Sequence, residues 1–289
     1  MLLIPGCIDK IYSVSVVIGS EACPASCAAC GGKRLAHPTR SDALRTIIPA
    51  ARLALSYGAW TLSITGQGEP TLDTEQITEL LTKLKENNLQ FPFVNLFSNC
   101  IPLNTHPEKY DKLLRQWRDL GLTSVVLSIH SVYDDTNKRA YGSPDHMCSR
   151  QHTLNQIKET GLTPRVTLLL QRGYVDDAQT YKYALQVLCG EGIRMVTSWP
   201  IVDYDGSRIQ ATPSRLGLAG IKWWLIRNTE PVMGHVWGGM VRAYQGMNVR
   251  ITDYVTDHKQ TSNFLRQLVV LPDGTVSYSW HQSGMHCLY

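Results

Sequence analysis

Between residues 12 and 226, a short β-branched or apolar run is followed again and again by a stretch whose apolar residues recur at helical spacing. That alternation leaves few architectures open. Strands are expected at 12–18, 60–65, 92–97, 123–129, 165–170 and 194–198, and helices at about 42–57, 75–87, 107–120, 148–160, 177–189 and 213–226. Ile77, Leu80, Leu81 and Leu84 share one helical face, as do Tyr110, Leu113, Leu114 and Trp117. Strands separated by helices pair in parallel, because a parallel neighbour requires a long return connection. The expected fold class is therefore α/β, with six βα units either open or curled into a partial (β/α)6 barrel. From about Arg227 the alternation stops, and Leu265 to Trp280 reads as a hairpin turning at Pro272-Asp273-Gly274. This divides the chain into a core, 1–230, and a C-terminal extension, 231–289.

In such folds ligands gather at the C-terminal ends of the strands. The loop Cys23-Pro-Ala-Ser-Cys27-Ala-Ala-Cys30 follows the first strand, Gly66-Gln67-Gly68-Glu69-Pro70 the second, and Ser98-Asn99 the third. Three of the eight cysteines fall within residues 23–30. That density points to metal binding in a reducing compartment rather than to a disulfide framework. A cubane iron–sulfur cluster has four irons, each needing a ligand, and thiolates are its usual donors. Three cysteines would leave one iron open to a small chelator such as an amino acid.

A C-x3-C-x2-C loop after the first strand of a (β/α)6 pattern resembles the radical S-adenosylmethionine (SAM) superfamily, over roughly residues 10–230. The resemblance implies a 4Fe–4S cluster on Cys23, Cys27 and Cys30, with SAM on the open iron. It also implies reductive cleavage of SAM to a 5′-deoxyadenosyl radical that abstracts hydrogen from a substrate. Gly66, Gln67, Gly68 and Glu69 resemble the family's Gly-Gly-Glu-Pro segment, which meets the SAM amino group. Ser98, Asn99 and Ser128 resemble its polar strand-end residues, and Arg172 is a candidate partner for the SAM carboxylate, since guanidinium binds carboxylate bidentately. Two positions depart from the family pattern: Ala29 stands where an aromatic residue is common, and Gln67 where glycine is. The adenine contact is accordingly expected from Ile201 or Val202. Asp203, Tyr204 and Asp205, beyond the sixth strand, are candidates for substrate recognition. Cys287, in the His- and Met-containing tail, is a candidate substrate contact or hydrogen-atom donor. The C-terminal extension would close or shape the substrate site.

Leu-Ser-Ile-His-Ser at 127–131 resembles family members that act directly on substrates, so a small polar or nucleoside-like substrate is expected. Modification of a nucleic-acid base or a peptide by the same chemistry is the alternative. A formal charge of +4 without a basic tract argues against nucleic acid. Outside enzymology, Cys23, Cys27, Cys30 and His37 could close a zinc site in a regulatory protein. His130 reads as a satisfied polar residue. No secretory signal or long apolar run is apparent at the N-terminus, so a cytoplasmic protein is expected, served by an electron donor such as a flavodoxin or ferredoxin.

Overall fold

The computed structural model describes residues 8–28, 30, 42–143, 149–203, 207–234, 239–252, 264–278 and 280. Its first strand, β1 (Lys10–Ile11), is short and pairs with a later one. The βα repeat begins at β2 (Ser13–Ile18), followed by α1 (Ile47–Ser56), β3 (Thr61–Gly66), α2 (Thr74–Glu86) and β4 (Phe93–Ser98). A short helix, α3 (Ile101–Thr105), precedes α4 (Pro107–Asp119) and β5 (Ser124–Ile129). Next come α5 (Asp134–Tyr141), α6 (Arg150–Glu159), β6 (Thr163–Leu170), α7 (Ala178–Gly190), β7 (Met195–Pro200) and α8 (Arg215–Asn228). The expected six strands and their long helices are all present, and α3 and α5 are additions.

Beyond residue 228 the chain forms β8 (Glu230–Gly234), β9 (Met240–Tyr244) and β10 (Met247–Ile251). It continues with β11 (Phe264–Leu265), β12 (Leu268–Val270) and β13 (Val276–Ser277). The expected hairpin is β12–β13, antiparallel, with the Gly274 N–H donating to the Leu271 carbonyl across its turn. The strands run in the order β13-β12-β2-β3-β4-β5-β6-β7-β10-β9-β8, in one sheet that does not close on itself among the described residues. β12 joins parallel to β2 at one flank and β10 parallel to β7 at the other. The parallel core is thereby widened on both sides by chain that follows the last βα unit. β1 pairs separately with β11.

The alternation within the strands decides what each face does. In β2, Val14, Val16 and Ile18 are buried against the helical layer, and Leu62 and Ile64 of β3 do the same. The opposite face carries Ser13, Ser15, Thr61, Ser63, Thr65, Asn95, Thr167 and Thr197. Closed (β/α)8 barrels fill their interior with bulky branched side chains. Small polar residues cannot fill this one, and the concave face lines a cavity of about 620 Å³.

The outer layer is apolar and close-packed. Ala50, Ala51 and Ala54 let α1 approach the sheet, while Trp117 of α4 is fully buried and its indole N–H donates to Thr78 Oγ1 at 2.9 Å. Truncating a side chain of that size in a core costs about 3–5 kcal/mol. The helical shell is therefore rigid support for the strand ends.

Candidate active site

The cysteine loop leaves β2 under tight control. Gly19 N–H donates to Gln76 Oε1 at 2.8 Å and Ser20 N–H to Asp73 Oδ2 at 3.0 Å, both from the start of α2. The loop then lies on the turn after β3: Gly68 N–H donates to the Ser20 carbonyl at 3.2 Å and Glu69 N–H to the Ala22 carbonyl at 2.9 Å. A Cβ at residue 68 would sit 2.1 Å from the Ala22 carbonyl oxygen, a backbone atom with nowhere to go. Glycine at 68 is thus a steric requirement of this contact.

The other side of the loop is held from the end of α5. Ser26 N–H donates to the Tyr141 carbonyl at 2.6 Å, Ser26 Oγ to the Gly142 carbonyl at 2.8 Å, and Ser143 Oγ to the Pro24 carbonyl at 2.8 Å. Gly142 adopts φ +61°, and a side chain there would strike Ser26 Oγ. Ala25, Ile101 and Tyr141 form a small apolar cluster against which Cys27 packs. The clamp from α5 is absent from the sequence reading, because Ser-x-Tyr spacing across more than a hundred residues carries no local signal.

Glu69 is 2% exposed. Its Oε1 accepts from Thr71 N–H (3.1 Å), Thr71 Oγ1 (2.5 Å) and Ser98 Oγ (2.6 Å), and its Oε2 from Asn99 N–H (2.8 Å). Burial raises its pKa above the ordinary carboxylate value, and the four donors partly offset this. The carboxylate therefore ties the β3 turn to the β4 exit. Asn99, fixed by that bond and by Ile101 N–H on its Oδ1, donates its Nδ2 to Cys23 Sγ at 3.5 Å. Gln67 is buried beside them, and both polar atoms of its side chain lack a hydrogen-bond partner among the described residues.

The remaining predicted residues are spread wider. Ser128, the last residue but one of β5, lies on the same face as the cavity-lining Val126, and its carbonyl accepts from the Tyr141 hydroxyl. Arg172 lies just beyond β6, exposed, with its backbone N–H on the Ala211 carbonyl at 2.9 Å. Ile201 is buried and Val202 half-buried, and Asp203 N–H donates to the Ser207 carbonyl at 2.8 Å. Ala29, His37, Tyr204, Asp205 and Cys287 lie outside the described residues. His130 is buried edge-on to Tyr141 at 5.5 Å, and burial pushes its pKa down to about 4, with Gln171 partly opposing. Its Nδ1 has no hydrogen-bond partner among the described residues, so this histidine is less satisfied than the sequence suggested.

Three thiol-bearing residues on one clamped loop are the donor chemistry an iron–sulfur cluster requires. The unpartnered amide of Gln67 and the side-chain-free approach at Gly68 also fit a small polar chelator beside them. Among the described residues, no three His, Cys, Asp or Glu side chains are already arranged to share a metal ion.

The parallel sheet with its helical layer is an α/β fold of the partial-barrel kind, with the cysteine loop at its strand ends. The family model of the radical SAM superfamily matches residues 17–178, more than half of the chain, and the chain belongs to that superfamily. Its members are enzymes that use a 4Fe–4S cluster and SAM. Among curated proteins there is no match. Among solved structures, the fold is similar to Streptococcus suis SuiB (TM-score 0.61, 13% identity, 96% of this chain and 62% of that one). It is also similar to methylornithine synthase, PylB (0.52, 15%, 75% and 63%). A third is a radical SAM methyltransferase from Sphaerobacter thermophilus (0.52, 16%, 84% and 64%). SuiB has also been solved bound to SAM and to its precursor peptide SuiA. The chain spans less than two thirds of the length of each of these structures. No helix among the described residues is long and apolar enough to cross a membrane.

Proposed function

We propose that Cys23, Cys27 and Cys30 hold the 4Fe–4S cluster and that the chain directs hydrogen abstraction at a small polar or nucleoside-like substrate in the cavity. The observation that carries this reading is continuity: Gly66 lines the cavity of about 620 Å³ and also opens the turn on which the cysteine loop rests. That volume falls within the range of small-molecule sites. Bound together, the cluster and SAM supply a one-electron cleavage of a C–S bond and, from it, a hydrogen-abstracting radical.

The chain's own residues position and shield. Backbone oxygens of the Gly66–Glu69 turn would take the SAM amino group, with the Gln67 amide beside them. Ser98 and Asn99 are held by Glu69, whose buried carboxylate acts here by orienting Asn99 toward Cys23. Ser128 and Arg172 are assigned to the ribose and carboxylate side. Asp203, Tyr204, Asp205 and Cys287 are assigned to the substrate side. A flavodoxin- or ferredoxin-like donor would deliver the electron to the loop, where Cys23 is exposed.

The test is anaerobic reconstitution with iron and sulfide, reduction in the presence of SAM, and measurement of 5′-deoxyadenosine, with Cys27→Ala as control. Cluster-dependent 5′-deoxyadenosine that disappears in the variant is expected. A protein that takes up zinc instead and leaves SAM intact would return the loop to a structural metal site.

A further inference from the structure

The lower part of the cavity has a feature that SAM cleavage does not use. Arg165 of β6, Arg250 of β10 and Arg266, two residues before β12, all line it, and no Asp or Glu stands among the described residues of the lining. Three guanidinium groups share one concave surface with Trp60, Phe97 and Trp199. Clustered cations on a concave, partly dry surface attract anions to it. Burial first, and then the charges of Arg266 and Arg165, push the pKa of the Arg250 guanidinium down to about 10.

Arg165 is set up to receive something. Its Nη1 donates to Asn95 Oδ1 at 2.9 Å, and that same oxygen accepts from Ser124 Oγ at 2.5 Å, so neighbouring strands fix the guanidinium from one side. Among the described residues its Nε is buried with no hydrogen-bond partner, as is the Trp199 indole Nε1. A buried N–H left unmade costs about 1–3 kcal/mol. A fixed fork with unused donors matches the geometry of an oxyanion. Asn95 lies level with Ser63 of β3, three residues from Gly66, which places the arginine end about 10 Å below the glycine turn at the rise of a strand.

We propose that the cavity binds an organic acid, its carboxylate or phosphate held by Arg165, Arg250 and Arg266 while its apolar body lies against Phe97 and Trp199. This rests on the reading that the cavity is the substrate site, and it narrows the substrate to an anion with a planar or apolar body. The acid group would lie deep, and the reacting end would point up toward the cysteine loop.

Binding tests it without turnover. Isothermal titration calorimetry on the full chain, with and without reconstituted cluster, would use three probes: 3-phenylpropionate, phenyl phosphate and the neutral 3-phenylpropionamide. At least one acid is expected to bind about tenfold or more tightly than the amide, and to weaken about tenfold or more in Arg165→Gln and in Arg250→Gln. Arg165→Lys, which keeps the charge and loses the fork, should fall between. Whichever acid binds more tightly assigns the group as carboxylate or phosphate. Equal binding of acid and amide, no binding of either acid, or acid binding indifferent to both glutamine variants would overturn the proposal. The wild-type comparison stands even if a variant fails to fold. Acids that bind to a protein unable to cleave SAM would remove the radical reading and leave this one. SAM cleavage without acid binding would do the reverse.

Discussion

The rim of the sheet and the cavity beneath it are built by different means. At the rim, nearly every bond that holds the cysteine loop has a backbone group on at least one side, from residues 19–26, 68–69 and 141–142, with Gln76, Asp73 and Ser143 supplying side-chain partners and with Gly68 and Gly142 where no side chain fits. In the cavity, position comes largely from strand side chains that alternate inward, and Arg165, Arg250 and Arg266 are among the residues that line it. Backbone contacts hold a loop whatever the substrate, whereas side chains on rigid strands can be exchanged without moving the frame. Under the proposed function, the reaction common to the family would belong to the first region, and the choice of substrate to the second.

The sharpest way to break this contrast is Gly68→Ala. Its added methyl would have to displace the Ala22 carbonyl, 2.1 Å away, and the cysteine loop with it. A shift of that order costs about a hundredfold in rate. The expected result is a loss of 5′-deoxyadenosine formation by about that factor, with an unchanged circular dichroism spectrum. A fully active variant would show that the loop is not held as described.

His130, below the rim, gives the next effect. Its pKa is near 6.5 unfolded and about 4 folded, so its contribution is complete above pH 6.5 and is lost as pH falls toward 4. That is about 3 kcal/mol at roughly 1.36 kcal/mol per unit. His130→Phe should flatten the acid limb of a stability–pH curve measured by urea titration, and an unchanged limb would remove the assignment. Glu69→Gln comes third. It places an amide N–H₂ among groups that all donate, so a loss of about 1–3 kcal/mol in stability is expected by thermal or urea unfolding. A neutral outcome would mean that the raised carboxyl is already protonated and donating. The smallest effect is at a site in neither region. Lys83→Ala removes an exposed pair with Glu79 and should change stability by no more than about 0.5 kcal/mol.

The contrast also explains what the sequence revealed. The six strands and their long helices follow from apolar periodicity, and the β12–β13 hairpin from Asp273-Gly274. The rim motifs were legible because a loop's cysteines and glycines stand out from any background. The helix α5 was not: Asp-Asp-Thr-Asn-Lys-Arg-Ala-Tyr has too few apolar residues to show a period, yet its C-terminal end clamps the cysteine loop. Helix α3 is five residues long and begins after Cys100 in a left-handed conformation, which no spacing announces. The strands β8 to β10 form a meander in which β8 is exposed throughout and only Tyr244, Met247 and Val249 are buried, too few to mark strands, and β10's parallel pairing to β7 is a long-range event. Arg165 and Arg250 escaped notice for a related reason. Along a strand, a polar residue at alternate positions reads as facing solvent, and only the curvature of the sheet turns that face inward.

The central claim is that the cysteine loop carries a SAM-binding iron–sulfur cluster. It is tested most directly by electron paramagnetic resonance of the anaerobically reconstituted, reduced protein before and after SAM is added, with iron and sulfide quantified on the same sample. Roughly four irons per chain are expected, as a cubane requires, with a reduced-cluster signal that changes on SAM addition and is lost in Cys23→Ala, Cys27→Ala and Cys30→Ala. A chain that binds no iron, or whose signal is indifferent to SAM, would contradict it.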